Sequence, residues 1–518
     1  MRLSSPFILD LRSIALFRIL LGSAMLYDIL ARFRFVELFL TDDGGLSRID
    51  LLTTVNRPWS FSLYMIAGES GQVQGILALH AAAAIALLLG LYTRVASIIC
   101  WALLVSLQHR NPLVLNGGDT LIALYAFWAM FLPLNARWSL DRLLSRKGER
   151  ASLDLLKENE YRAIPGAAFM LQTVFVYAFA VLLKSGELWM NGQAVGYAIR
   201  NLGIMESGGL WFQQFEWAHP LSTYVTYHWE WVGCLLLLCP FANRILKVIA
   251  VLGFVAMHVV FEFMMDLALF PFISITGWLA LLPSTIWDSA LARKWSVGLR
   301  TRMDRTTRWV KETKARGGPL IVPGRPSSIM CGLAIILVLV WNVRGLPNSP
   351  LRNAIPEPMV NLMYTLKLRQ KWSMFAANPP RYSGWYTIEA QMADGDTIDL
   401  FYPKVPYTIR RPAIFTDRYP DRRWGKFLDN LRKDQYRSLR DDFLQYFIKR
   451  WSRRAWDRGK IETVKLVYFR EKIRLDGTIT DPDQRTLATI HPSGVTQIVI
   501  SASDDFDNSL GDLELGDL

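Results

Sequence analysis

About nine apolar runs, each close to the length that crosses a lipid bilayer, recur along this chain of 518 residues. An α-helix rises 1.5 Å per residue, so a bilayer core roughly 30 Å thick needs on the order of 20 apolar residues. We therefore predict an all-α polytopic membrane domain of about nine spans. The runs lie near residues 13–31, 74–92, 94–108, 118–135, 164–184, 223–241, 244–265, 268–286 and 328–345.

A polar region follows the last apolar run. Mean hydropathy is only +0.19 although 52% of the residues are hydrophobic, so a membrane part is combined with a soluble part. A hairpin signal at Asp394-Gly395, helical spacing from Arg423 to Arg454 and a strand-like TVKLVYF indicate a small α+β domain. We predict a membrane domain over residues 1–345, an α+β domain over 346–502 and an acidic, disordered tail over 503–518.

The net charge of +13 is explained by topology, because the basic residues cluster between apolar runs as they do in cytoplasmic loops. We therefore predict no nucleic-acid partner. Residues 185–223 contain only one basic residue, Arg200, and are expected to be extracytoplasmic. The alternation predicts a cytoplasmic N-terminus and an extracytoplasmic C-terminal domain. The basic loops follow the fourth and eighth runs and include Arg137, Arg142, Arg146, Lys147 and Arg150, and Arg293, Lys294, Arg300, Arg302 and Arg305.

The cysteines and the N-terminus give no sign of a disulfide framework or a removable leader. All four cysteines fall inside apolar runs without the paired spacing of a zinc site. The opening MRLSSPFILDLRS leads into an apolar run without a small-residue cleavage signal, so the first run is expected to be retained as a span.

Ionisable residues inside spans are costly and tend to face the bundle interior, where they pair or act chemically. His258, Glu262 and Asp266 are four residues apart, so a helix through all three would place them on one face. A hydrogen-bonded network and an acid, base or ligand-orienting role are both open for this face. A metal site is disfavoured, since zinc sites need three or four ligands.

The remaining polar candidates have ordinary structural explanations. Arg18 and Asp28 are ten residues apart and fall on different faces of the first span, so Arg18 is expected to find a partner elsewhere. His80 lies in an alanine-rich run and is expected to be a packing residue. The loop QHRNPLVLNGGDT is either a re-entrant turn at a polar cavity or a capped connection before the next helix; it contains His109, Arg110, Asn111, Asn116 and Asp119.

Lys184 ends the fifth apolar run, in the sequence AFAVLLKSGELW. Such an amine is either a snorkelling anchor or, where burial favours its uncharged form, a base. Glu187, three residues later, favours the charged form. The residues alone leave both interpretations open.

The N-terminal two-thirds of the chain resembles the HTTM (horizontally transferred transmembrane) domain, which is shared with vitamin K-dependent gamma-carboxylases. The resemblance lies in LRSIALFRILLGSAMLYD, LLLGLYTRVASIICWALLVSLQHRNPLVLNGGD, PLNARWSLD and LLKSGELWMNGQAVGYAI, while QKWSMFAANPP and DGDTIDL resemble an extension found on bacterial members. In the carboxylases the active-site lysine is followed five residues later by tryptophan, as Lys184 is by Trp189. The helix VLGFVAMHVVFEFMMDLALFPF resembles a carboxylase helix whose histidine corresponds to His258.

This resemblance implies an enzyme in which a neutral lysine deprotonates a quinol, vitamin K hydroquinone or a related lipid, before a glutamate is carboxylated. The expected catalytic residues are Lys184 and His258, supported by Glu187, Trp189, Glu262, Asp266, Arg18, His109 and Asn111. Membrane lipid and an extracytoplasmic protein or peptide substrate would be the partners, and no metal is expected.

Two other functions stay open at this point. One is a non-catalytic maturation or immunity factor that binds a protein partner through its outer domain. The other is a carrier of a lipid or small molecule.

Overall fold

The computed structural model describes residues 6–55, 59–145, 159–289, 324–453, 460–478, 480–492 and 496–497. Each of the nine apolar runs coincides with a helix, and these helices are numbered in chain order. They are α1 (Leu11–Phe33), α2 (Ser70–Leu89), α3 (Thr93–Arg110), α4 (Gly117–Ala129), α5 (Ile164–Leu183), α6 (Ala218–Leu238), α7 (Asn243–Met264), α8 (Phe270–Leu279) and α9 (Arg325–Arg344).

Five of these helices, α1, α2, α5, α7 and α9, are long and apolar enough to cross a membrane. In α2, α7 and α9 less than a third of the most apolar stretch is buried inside the protein. Their outward faces carry side chains such as Leu79, Leu252 and Leu333, each more than half exposed. Soluble monomers rarely expose contiguous apolar surface of this extent, so these helices are those of a membrane-embedded protein.

Two helices are shorter than the apolar runs that predicted them. At 1.5 Å per residue, the 13 residues of α4 and the 10 residues of α8 extend only about 20 Å and 15 Å. Both lengths fall short of the roughly 30 Å hydrocarbon core. The two short helices pack against each other inside the bundle, and α8 also packs on α1 and α7.

Short elements connect the bundle helices. A two-stranded pair, β1 (Leu9–Asp10) with β2 (Glu160–Tyr161), joins the start of α1 to the start of α5. The short helices are Val36–Leu40, Arg48–Asp50, Leu140–Leu144, Glu187–Met190, Ala194–Ala198, Ser207–Phe212 and Ser284–Trp287, with one π-helical turn at Leu51–Val55 and 3₁₀ turns at Leu63–Ile66 and Pro112–Val114.

The C-terminal part is α+β, as its sequence predicts. It contains α10 (Glu357–Thr365), α11 (Arg422–Arg432), α12 (Leu439–Arg453) and 3₁₀ turns at Phe415–Asp417 and Asp434–Tyr436. Its five-stranded antiparallel sheet has the order β4-β3-β5-β6-β7. The strands are β3 (Tyr382–Met392), β4 (Thr397–Asp399), β5 (Ile461–Lys472), β6 (Asp483–Ile490) and β7 (Thr496–Gln497).

The predicted β-hairpin at Asp394-Gly395 is confirmed. Strands β3 and β4 pair antiparallel, with Gln391 opposite Thr397. Gly395 adopts φ +94°, a left-handed conformation that favours glycine. The predicted helical stretch from Arg423 to Arg454 is two helices, α11 and α12, with a 3₁₀ turn between them. The acidic tail lies outside the described residues.

The bundle and the C-terminal part share one hydrophobic core. A single cluster of buried residues runs from Phe39 of the bundle to Phe427 and Phe443 of α11 and α12. The other sheet face packs Trp385 and Phe469 on the loop around Leu202. The predicted boundary at residue 345 therefore marks a change in composition, and apolar packing continues across it.

A chain of buried charges joins the two parts at the same place. Arg423 of α11 forms an ion pair with Asp28 of α1. Asp28 also accepts a hydrogen bond of 2.9 Å from Arg32, whose other nitrogen lies 2.6 Å from Asp119 of α4. Asp119 accepts from the backbone N–H of Asn116 and completes a capping box on α4. Two carboxylates and two guanidinium groups thus compensate each other in the protein interior.

We expect Asp28→Ala to destabilise the whole protein, because it leaves Arg32 and Arg423 buried without that carboxylate. Breaking a buried ion pair on one side costs about 3–5 kcal/mol. Thermal unfolding of the purified protein in detergent measures the loss.

Asp43→Ala is the matched control, since Asp43 also joins the two parts through an ion pair with Lys449 but is 65% exposed. An exposed pair contributes about 1 kcal/mol or less. Equal losses for the two variants would contradict the central role of the buried network.

Candidate functional site

Lys184 lies at the C-terminal end of α5, as predicted, but it is buried rather than snorkelling to the surface. It is the C-cap residue, with φ −79° and ψ 60°, and its N–H donates to Val181. The chain then turns through Gly186, whose N–H donates to the carbonyl of Ala377. A Cβ on Gly186 would lie 2.1 Å from Asn378, so glycine permits this close approach of the two segments.

The Lys184 amine is bound by a carboxylate from another helix. Its Nζ lies 2.5 Å from both carboxylate oxygens of Glu230 on α6. The two side chains are only 5% and 6% exposed. This is a buried, bidentate ion pair that joins the end of α5 to the middle of α6.

Trp189 completes the surroundings of the amine. The Lys184 Nζ lies 4.7 Å from the centroid of the Trp189 ring, which is a cation–π contact. The indole N–H of Trp189 donates to the carbonyl of Phe375 at 2.9 Å. The five-residue spacing noted in the sequence therefore corresponds to a direct contact between Lys184 and Trp189.

Glu187, the carboxylate that the sequence places closest to Lys184, has a different partner. It forms an ion pair with Arg381 at the surface and is 67% exposed. Glu187 follows the turn at Gly186, which carries its side chain away from the helix end. The carboxylate bound to the Lys184 amine is therefore that of Glu230, and Glu187 is bound to Arg381.

The ion pair limits what Lys184 can do in this arrangement. A general base needs a free lone pair on the amine nitrogen. In an ammonium–carboxylate pair that lone pair carries a proton, and the N–H groups are directed to Glu230. In that state the pair fixes the end of α5 against α6.

His258 is buried on α7 and bonded to α5. The Tyr177 hydroxyl and His258 Nε2 are 2.6 Å apart. The rings of Phe261 and Phe270 enclose the imidazole, with centroids 5.8 and 5.6 Å away. Tyr177 precedes Lys184 by seven residues, which is two helical turns, so the two lie on the same face of α5 about 10 Å apart.

His258 and Glu262 lie one turn apart on the same face of α7, but Asp266 is not part of that helix, so the prediction of a three-residue polar stack is wrong for Asp266. Helix α7 ends at Met264, and Met265 is extended, so Asp266 lies beyond the helix. The N–H of Asp266 donates to Ile204, and its carboxylate accepts from Ala268. Glu262 is exposed on the helix. Within the described residues, no three His, Cys, Asp or Glu side chains form a metal-binding group.

The other predicted supporting residues bind backbone carbonyls. Arg18 is fully buried and donates to the carbonyl of Trp138, so its partner is outside its own helix, as expected. His109 Nε2 lies 3.1 Å from the carbonyl of Thr365, and the Asn111 amide donates to Phe39. These contacts fix loops around the bundle.

A cavity of about 100 Å³, partly open to solvent, lies where the bundle meets the C-terminal part. Its wall is mostly apolar and includes the segment from Trp372 to Phe375. Neither Lys184 nor His258 lines the cavity. The lining residue Phe270 packs against His258, and the lining residue Phe375 accepts a hydrogen bond from Trp189, which contacts Lys184. The lining residues are Asn116, Gly117, Thr120, Ile204, Leu267, Phe270, Lys371, Trp372, Ser373, Met374, Phe375, Arg422 and Lys426.

Three cations line this cavity, and no carboxylate is among its described lining residues. Lys426 on α11 is half-buried, and desolvation lowers its pKa to about 8, while Asp429 opposes the shift. Arg422 donates to the carbonyl of Gly203 and lies over the ring of Phe415. The cavity is therefore apolar with a positive rim.

The chain matches no protein-family model, no curated protein and no solved structure.

Glu230 is a site residue that the sequence patterns did not predict. A carboxylate in an apolar run requires a cation nearby, and Lys184 is the lysine in comparable apolar surroundings on the neighbouring run. That complementarity is the signal by which the pair could have been found. The cavity had no such signal, because its wall combines residues from five separated segments.

We expect Lys184→Met and Glu230→Leu each to lower the thermal stability of the protein by about 3–5 kcal/mol, since each leaves one buried charge unpaired. The double variant Lys184→Met/Glu230→Leu should recover most of the loss, because apolar groups replace both charges. Unfolding of the four proteins in one detergent gives the coupling between the two positions.

Glu187→Ala serves as the control at a surface ion pair and should leave stability nearly unchanged. A double variant as unstable as the sum of the two single variants would show that the pair has no structural coupling.

Proposed function

We propose that this chain is a multi-pass protein of the bacterial inner membrane with an HTTM-type domain, and that it acts by binding a partner rather than by carboxylation. The observation that supports this most strongly is the ion pair between Lys184 and Glu230. A carboxylase of the kind that the resemblance implies would need the Lys184 amine as its base. In the ion pair that amine is bound to Glu230. In this proposal the ion pair fixes α5 against α6.

The proposed partner is a protein that the C-terminal part recognises, for maturation or immunity. The segment between β4 and α11 supports this, because it exposes Val405 and Ile409 by more than half. Basic residues nearby, such as Arg410, would complement an acidic partner. The C-terminal part is proposed to be extracytoplasmic, following the charge alternation of the loops.

The topology proposal includes about nine membrane-inserted helices, of which α4 and α8 are too short to span alone. In a cysteine-free background, Asp394→Cys in the exposed β3–β4 hairpin should react with a membrane-impermeant maleimide in intact cells. Ser296→Cys, in the basic loop after α8, should react only after lysis. The reverse pattern would place the C-terminal part in the cytoplasm.

A carboxylase-like enzyme that uses a quinol is the second candidate, favoured by the contact of Lys184 with Trp189 and by His258 on the neighbouring helix. The described side chains do not form a site for a quinol at Lys184, because the amine is bound to Glu230 and does not line the cavity. This candidate therefore requires a different arrangement of Lys184, and we derive no step through a quinol.

One comparison distinguishes the two candidates. Four proteins are reconstituted with vitamin K hydroquinone: wild type, Lys184→Ala, Lys184→Arg and Lys184→Met/Glu230→Leu. The quinone epoxide that each forms is measured, and the phenotype of cells carrying each variant is recorded separately. We expect no epoxide from any protein, and a wild-type phenotype for the double variant. Epoxide formed by wild type and lost in the stably folded double variant would establish the enzyme instead.

A further inference from the structure

The cavity between the bundle and the C-terminal part has the composition of an amphiphile-binding site. Its apolar wall is formed by Ile204, Leu267, Phe270, Trp372 and Met374. Trp372 is fixed by the hydrogen bond from its indole N–H to Gln370, whose side-chain amide in turn bonds Gln172 of α5. The apolar wall is thus anchored to the bundle and preformed.

Three positively charged side chains line this wall, those of Lys371, Arg422 and Lys426. The amines of Lys371 and Lys426 form no hydrogen bond or ion pair with any residue in the described ranges of the chain. Arg422, one helical turn before Lys426 on α11, is already bonded to Gly203. Two lysine amines are therefore available to an incoming anion, while Arg422 contributes fixed positive charge.

We propose that this cavity binds an anionic lipid, with the phosphate or carboxylate head group at Lys371 and Lys426 and the acyl chain along the wall of Phe270, Trp372 and Met374. The enclosed space measures about 100 Å³ and is partly open to solvent, so the lipid would occupy it with its head group and the first part of a chain while the rest of the chain lies outside. Free phosphate would use only the cationic rim and leave the apolar wall unfilled. This inference does not depend on the role of Lys184.

Charge on Lys426 makes the binding dependent on pH. The pKa of this lysine is lowered to about 8 by desolvation; Asp429 raises it, and Arg422 and Lys433 lower it further. Lys426 is thus charged below pH 8 and neutral above it. Lipid affinity should be full near pH 7 and should fall as the pH rises through about 8.

The test measures binding of radiolabelled phosphatidylglycerol to the full-length protein in a neutral detergent. Lys371→Gln/Lys426→Gln should lower the affinity by about tenfold or more, because two charged hydrogen-bond donors are lost. Lys371→Arg/Lys426→Arg should retain most of the affinity. Lys465→Gln on β5 is the control, since this exposed lysine does not line the cavity. Unfolding temperatures equal to wild type verify that the variants fold.

Competition separates the possible ligands. Unlabelled phosphatidylglycerol should displace the label, whereas phosphatidylcholine, inorganic phosphate and an acidic peptide should not at the same concentration. Displacement by inorganic phosphate at equal concentration would show that the acyl chain of the lipid contributes nothing to binding. Displacement by the peptide alone would assign the cavity to a protein ligand. Equal affinities for wild type and the glutamine double variant would also overturn the proposal.

Discussion

The cost of placing a charge among apolar helices governs how this molecule is built. An isolated charged group loses several kcal/mol of solvation when buried, so each one must find a partner of opposite charge or several hydrogen bonds. Lys184 meets Glu230, and Asp28 meets Arg32 and Arg423. Lys247 donates to the carbonyl of Ile8 before α1. These partners come from distant parts of the sequence, and they fix which helices lie side by side.

The need to pair buried charges also fixes the position of the C-terminal part on the bundle. Because Arg423 of α11 is paired with Asp28 of α1, and the apolar core continues around this pair, the C-terminal part is packed on the bundle. A cavity is left at this junction, and its wall belongs to both parts. A ligand there would contact α4 and α8 of the bundle as well as α11.

Sequence patterns were informative wherever the physics is local. The apolar runs and the Asp394-Gly395 hairpin depend on neighbours within a few residues, and a helix overlaps each run while the hairpin forms where it was expected. Of the two alternatives for the loop before α4, the capped connection is found, with a capping box at Asn116 and Asp119. The Lys184–Trp189 contact is also local. The resemblance to HTTM and carboxylase domains adds the hypothesis that Lys184 is a catalytic base. The ion pair of Lys184 with Glu230 does not favour that hypothesis.

Features that depend on distant partners were not predictable in this way. Glu187 is close to Lys184 in sequence, yet the turn at Gly186 separates them and brings Asn378 in. Helix α7 ends at Met264, where the chain forms backbone hydrogen bonds with the loop near Ile204. The apolar pattern of the sequence continues past this end. Similarly, the run near 118–135 gives no sign that α4 stops at Ala129.

Isotope-edited infrared spectroscopy of wild type and Glu230→Gln tests the central claim, that Lys184 is an ammonium ion paired with a carboxylate. The difference spectrum should contain the loss of a carboxylate stretching band, because Glu230 is ionised in the pair. Loss of a protonated carboxyl band instead would mean that the proton resides on Glu230, that the Lys184 amine is neutral, and that it is available as a base.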